Sequence, residues 1–113
     1  MILGIGVDIL KISRIKLEHA RRVLSEDEFK VFEEFKLESR KLEYLAGRFS
    51  VKEAIIKAIT STSYQVGMRD ITIINDKQGR PIVISPKIEG IKFFVSLSHE
   101  KDNCVGLCVL ENV

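Results

Sequence analysis

Residues 42–58 read Leu42-Glu43-Tyr44-Leu45-Ala46-Gly47-Arg48-Phe49-Ser50-Val51-Lys52-Glu53-Ala54-Ile55-Ile56-Lys57-Ala58. Leu42, Leu45, Ala46, Phe49 and Ile56 recur at the three- and four-residue steps of an amphipathic helix, which the pattern extends over about 39–60. Two charged residues interrupt the stripe. At about 100° per residue, Glu53 lies ~40° from Phe49, inside the apolar arc, and Lys57 follows one turn later. An exposed Glu–Lys pair at this spacing contributes only about 0.2–0.5 kcal/mol. It leaves unexplained why charge stands on a core-facing stripe, because a buried charge is costly unless it is paired or metal-bound. From spacing alone a surface pair and a functional pair both stay open.

Upstream, residues 2–9 read Ile-Leu-Gly-Ile-Gly-Val-Asp-Ile. Alternation puts Leu3, Ile5, Val7 and Ile9 on one face and Gly4, Gly6 and Asp8 on the other. The expectation is a strand with an apolar underside and an almost bare upper side ending in a carboxylate. Asp8 reads either as a strand-end residue or as a ligand, since glycine admits close approach of a backbone or substrate. A strand carboxylate and a helix carboxylate together suit a hard divalent cation. Mg²⁺ commonly takes one or two protein carboxylates and completes its octahedron with water and substrate phosphate. Lys57 beside such a metal suits a phosphate as a compact positive charge.

Between these segments, 12–23 fits a helix with Ile12, Ile15, His19 and Val23 inward and Lys11, Arg14, Arg21 and Arg22 outward. Ser25 and Glu28 have capping-box spacing and start a second helix carrying Phe29, Phe32 and Phe35. Downstream, 61–67 lacks periodicity and reads as a loop. Strands at 70–75 and 80–84 flank the turn Asp76-Lys77-Gln78-Gly79, and strands at 92–99 and 104–110 flank Lys101-Asp102-Asn103. Helices early and hairpins late make the class α+β, three N-terminal helices packed on a mainly antiparallel sheet. Cys104 and Cys108 share a strand face, as core packing would have it. His19 reads as structural, and His99 as a strand-end residue.

The chain has 113 residues, 45% hydrophobic and 30% charged, with no linker or repeat, so 1–113 is expected to be one domain. Its formal charge of +2 is too weak to mark a nucleic-acid binder. Charge is nevertheless segregated: 11–22 carries five basic residues against Glu18, while 25–43 holds seven acidic and four basic ones. This is either a localised binding surface or a solvated face. No apolar run approaches the roughly 20 residues of a membrane span, and the N-terminal stretch lacks the basic region of a secretory signal. A soluble, cytoplasmic protein without a membrane partner is expected. Two cysteines and two histidines at no zinc spacing argue against zinc, and neither G-x-x-x-x-G-K-[ST] nor G-x-G-x-x-G is present.

Three segments resemble one family in order and separation. Gly4-Ile5-Gly6-Val7-Asp8-Ile9 with Arg14-Ile15 is similar to the opening of the holo-[acyl-carrier-protein] synthases. Arg48-Phe49-Ser50-Val51-Lys52-Glu53-Ala54-Ile55-Ile56-Lys57-Ala58 resembles their R-F-x-x-K-E-A-x-x-K-A signature, and Ser96-Leu97-Ser98-His99-Glu100 their third motif. Asp76-Lys77-Gln78-Gly79-Arg80-Pro81 is similar to the family hairpin. Leu10 stands where larger relatives carry a second acidic residue, which fits the small trimeric subgroup.

The resemblance implies the 4′-phosphopantetheinyl transferase fold. It implies that coenzyme A donates its phosphopantetheine arm to a serine of apo acyl carrier protein, releasing adenosine 3′,5′-bisphosphate. It also implies a homotrimer with active sites in the clefts between subunits. Asp8 and Glu53 become Mg²⁺ ligands and, with Lys57, the catalytic set. Lys57 also becomes a contact to coenzyme A phosphate, and Arg48, Lys52 and His99 match positions near the nucleotide. For the serine proton, Glu53 and a water on the metal are both open as acceptors. Acyl carrier proteins are acidic and helical, and Arg14 matches a docking contact. On an ideal helix Lys11, Arg21 and Arg22 lie within ~80° of it, forming one strip. The alternative reading is a non-catalytic basic adaptor for an acidic helical carrier protein. It leaves Asp8, Glu53 and Lys57 without a purpose.

Overall fold

The computed structural model describes residues 1–113. Strand β1 (Ile2–Lys11) pairs antiparallel with β5 (Asn103–Asn112), which pairs antiparallel with β4 (Ile91–His99), giving the order β1-β5-β4. Gly6, Cys108 and Val95 form one cross-strand row, and Asp8, Gly106 and Leu97 the next. These rows face the long helix α3 (Glu38–Ile59), which packs against β1 and β5. The alternate rows, led by Ile5, Val7 and Ile9, face outward. A separate hairpin joins β2 (Thr72–Asn75) to β3 (Pro81–Ser85), and its turn uses Gly79 at φ +84°.

The two faces of β1 are the reverse of the sequence expectation. The bare side is packed, and the apolar side is open. A Cβ on Gly4 would run into the carbonyl oxygen of Ala58, and one on Gly6 into that of Ala54. Strand and helix therefore meet backbone to backbone, through positions where only a hydrogen fits. Gly106 makes a third such contact, its would-be Cβ lying 2.5 Å from the Ser50 carbonyl. Ile5, Val7 and Ile9 are left 66%, 56% and 72% exposed.

The first expected helix is also corrected. Residues 12–23 form two 3₁₀ turns, Ile12–Arg14 and Leu17–His19, and the single α-turn α1 (Ala20–Val23). Ile15 and Lys16 are extended between them. Across the break, Ile15, Ala20, Val23 and Leu24 all reach one cluster with Leu45, Ala46 and Cys104, tertiary packing that overrides the helical stripe. Helix α2 (Glu26–Glu34) begins as expected, with Ser25 and Glu28 capping each other. A second cluster joins the C-terminal half of α3 to β2 and β5. The class remains α+β with antiparallel sheets, and Cys104 and Cys108 are buried and free. No helix is long and apolar enough to cross a membrane.

Candidate active site

Asp8 continues the glycine face of β1, so its side chain emerges toward α3 just beyond the backbone contact. Lys57 Nζ donates to the Val7 carbonyl at 3.0 Å and to Asp8 Oδ1 at 3.3 Å. Glu53, one turn earlier on α3, is half-buried and has no ion-pair partner in the chain. Asp8 and Glu53 line one cavity of about 610 Å³, together with Arg14, His19, Arg22 and Phe49. Two carboxylates remote in sequence thus share a recess whose wall also carries two guanidinium groups.

The donor set defines what this recess can hold. Its acidic groups offer oxygens, and no three His, Cys, Asp or Glu residues stand close enough to hold one ion between them. Two carboxylates with room beside them fit a hard cation that keeps water and takes phosphate oxygen.

Arg48 and His99 lie elsewhere. They line a separate pocket of about 410 Å³ with Arg40, Tyr44 and Asn75. Arg48 Nη2 donates to the Ile73 carbonyl at 3.2 Å and to Asn75 Oδ1 at 3.3 Å, and its guanidinium sits 4.5 Å from the centre of the Tyr44 ring. Within one chain these residues do not join Asp8 and Glu53.

Lys52 departs from the expectation that it meets a nucleotide. It is fully buried, and its ammonium donates to Glu28 Oε1 at 2.5 Å, the Val23 carbonyl at 2.7 Å and the Met68 carbonyl at 2.9 Å. Three donors meet three acceptors, so none remains for a ligand. Burial pushes its pKa below the ordinary lysine value, while the Glu28 carboxylate pulls upward. Burial likewise raises Tyr44 and the two thiols, Cys108 to about 12.

The basic strip is divided by the broken helix. Arg14 and Arg22 face the cavity of Asp8 and Glu53. Arg21 turns the other way and stacks over Phe29 at 4.2 Å, beside Arg69 and Lys30. Lys11 is exposed at the end of β1 and lines neither recess. Sequence reasoning missed Glu28 as more than a cap. The available signal was an acidic residue close to the phenylalanines that begin an apolar helix face.

Comparison with known proteins places the chain in a family. The sequence profile of the 4′-phosphopantetheinyl transferase superfamily matches residues 4–108. The chain is 41% identical to the holo-[acyl-carrier-protein] synthase of Staphylococcus carnosus, over 100% of both chains. It is 42% identical to that of Staphylococcus saprophyticus, over 98% of this chain and 99% of the relative. The crystal structure of a Bacillus anthracis holo-(acyl-carrier-protein) synthase in complex with CoA (3′,5′-ADP) matches at a TM-score of 0.89 and 38% identity, covering 100% and 99%. The chain belongs to the 4′-phosphopantetheinyl transferase superfamily. Within it, the chain groups as an enzyme with the holo-[acyl-carrier-protein] synthases.

Proposed function

We propose that the chain transfers the 4′-phosphopantetheine arm of coenzyme A to a serine of apo acyl carrier protein, in an Mg²⁺-dependent reaction that releases adenosine 3′,5′-bisphosphate. The observation that carries this reading is the convergence of Asp8 and Glu53 on one cavity, with Lys57 bonded to Asp8. The serine Oγ attacks the phosphorus that bears pantetheine, its proton passing to Glu53 or to water. The bond from that phosphorus to the bridging oxygen breaks, and the electron pair leaves on the adenosine bisphosphate. Mg²⁺ held by Asp8 and Glu53 would supply charge neutralisation on the pyrophosphate. Lys57, half-exposed, offers its ammonium to the leaving phosphate. Arg14 and Arg22 stand on the same wall, where an acidic carrier protein presents its serine.

A homotrimer with clefts between subunits completes this proposal, and two observations support it. The outer sheet face is an apolar strip of Ile5, Val7, Ile9, Leu107 and Phe94, larger than scattered surface residues make. The Arg48–His99 pocket is also separate from the carboxylate cavity in one chain, so bringing the two to one substrate takes a second copy.

Incubation with coenzyme A, Mg²⁺ and an apo carrier protein, read by mass spectrometry, tests the chemistry. The expected result is a carrier protein heavier by one phosphopantetheine arm, absent when Mg²⁺ is chelated. Binding of carrier protein with no mass gain under any divalent metal would establish the adaptor instead. Sedimentation tests the assembly: a species of one-chain mass at enzyme-active concentrations rules out the trimer.

A further inference from the structure

Glu28 does more than cap α2. The cap uses one acceptor, Oε1, which receives the Ser25 N–H at 3.0 Å. Glutamine would cap as well, so capping explains neither the charge nor its surroundings. The same carboxylate accepts from Lys52 at 2.5 Å and from the Ile73 N–H at 2.8 Å, and its Oε2 lies 3.9 Å from Arg48 Nε. One buried carboxylate thus faces an ammonium and a guanidinium, leaving the cluster one positive charge in excess.

Arg48 is where that excess reaches the surface. It is 5% exposed, and it is held on three sides by Tyr44, by the Ile73 and Asn75 acceptors, and by the Glu28 carboxylate. Its Nε is buried without a hydrogen-bond partner. Its Nη1 has no protein acceptor and is not buried, and Arg48 lines the pocket shared with His99 and Arg40 as well as a second one beside Glu28 and Thr72. A guanidinium fixed on three sides with a free edge is a preset donor for an oxyanion.

We propose that Glu28 is a positioning residue for coenzyme A. It holds Arg48 so that the Nη1 edge meets a phosphate of the coenzyme, whose charge balances the buried excess. This rests on the transferase reading, which supplies the coenzyme as ligand. The test is a coenzyme A titration of activity, with calorimetric binding of coenzyme A, on the wild type, Glu28→Gln, Arg48→Met and the double variant. Glu28→Gln is expected to raise KM and Kd for coenzyme A about tenfold with kcat within about twofold. In the Arg48→Met background it adds less than about twofold, since the two act through one contact. A purely structural role would instead lower kcat through the folded fraction at unchanged KM. Unchanged KM and Kd, or a penalty undiminished in the Arg48→Met background, overturns the proposal. If Glu28→Gln does not fold, Glu28→Gln/Lys52→Met removes both members of the ion pair and is read the same way. A wild type that neither binds coenzyme A nor transfers sinks the transferase reading first, and the positioning role with it.

Discussion

Lys52 and Lys57 stand little more than one turn apart on α3, and each meets a carboxylate. Lys52 is sealed, with three acceptors for three donors and Glu28 buried against it. Lys57 is 52% exposed and makes a longer contact to Asp8, beside a glutamate that has no partner. The Lys52 ammonium is saturated and has no donor left for a ligand. The outer group is unsatisfied, and unsatisfied charge beside a cavity is what a ligand completes. Identical residue types thus divide into a sealed lysine and an open one according to how many of their bonds the protein itself has used.

The largest effect that would break this contrast concerns the open cluster. Asp8→Asn and Glu53→Gln should each lower transfer by on the order of 10²–10³-fold while thermal unfolding stays near wild type. Normal turnover in either variant would put the metal elsewhere. Exchanging the lysines sharpens the division. Lys52→Met should destabilise the chain by about 3 kcal/mol in urea unfolding, because it strands a buried carboxylate. Lys57→Met should leave the urea midpoint unchanged and lower kcat by roughly 10²-fold. The reverse pattern would dissolve the distinction.

The arginines extend the same test to the rim. Arg14→Glu and Arg22→Glu should raise KM for the carrier protein about tenfold at low salt, with the effect shrinking as salt is added. Arg21→Glu, turned onto Phe29, should change it less than about twofold. A last effect, confined to alkaline pH, belongs to the buried thiol. The Cys108 pKa is raised to about 12 from 9.0, so the folded state keeps a proton that the unfolded chain loses. That stability is intact below pH 9 and drains away as pH rises toward 12, by up to about 1.4 kcal/mol per pH unit. Denaturant midpoints measured from pH 8 to 11 should fall with such a slope in the wild type and less steeply in Cys108→Ser, where Cys104 and Tyr44 still contribute.

Periodicity and turn chemistry made most of the architecture legible: the long helix, the capped second helix and both hairpins. Asp8, Glu53 and Lys57 stood out because each violates a local pattern. Other features were hidden for stated physical reasons. The segment 12–23 satisfies a helical stripe, yet tertiary packing of Ile15, Val23 and Leu24 prefers a broken path. The faces of β1 read inverted because alternation reports which residues share a side, not which side is covered. Glu28 was masked by its capping role, and Lys52 by a motif that does not encode burial.

The glycines of β1 have a last consequence. Because no side chain separates that strand from α3, a methyl-sized shift between them has nowhere to go. Asp8 and Glu53 rise from two main chains in direct contact, so the gap between their anchor points behaves like a fixed gauge. Whatever the recess receives, its two acidic walls cannot drift apart without prying strand from helix.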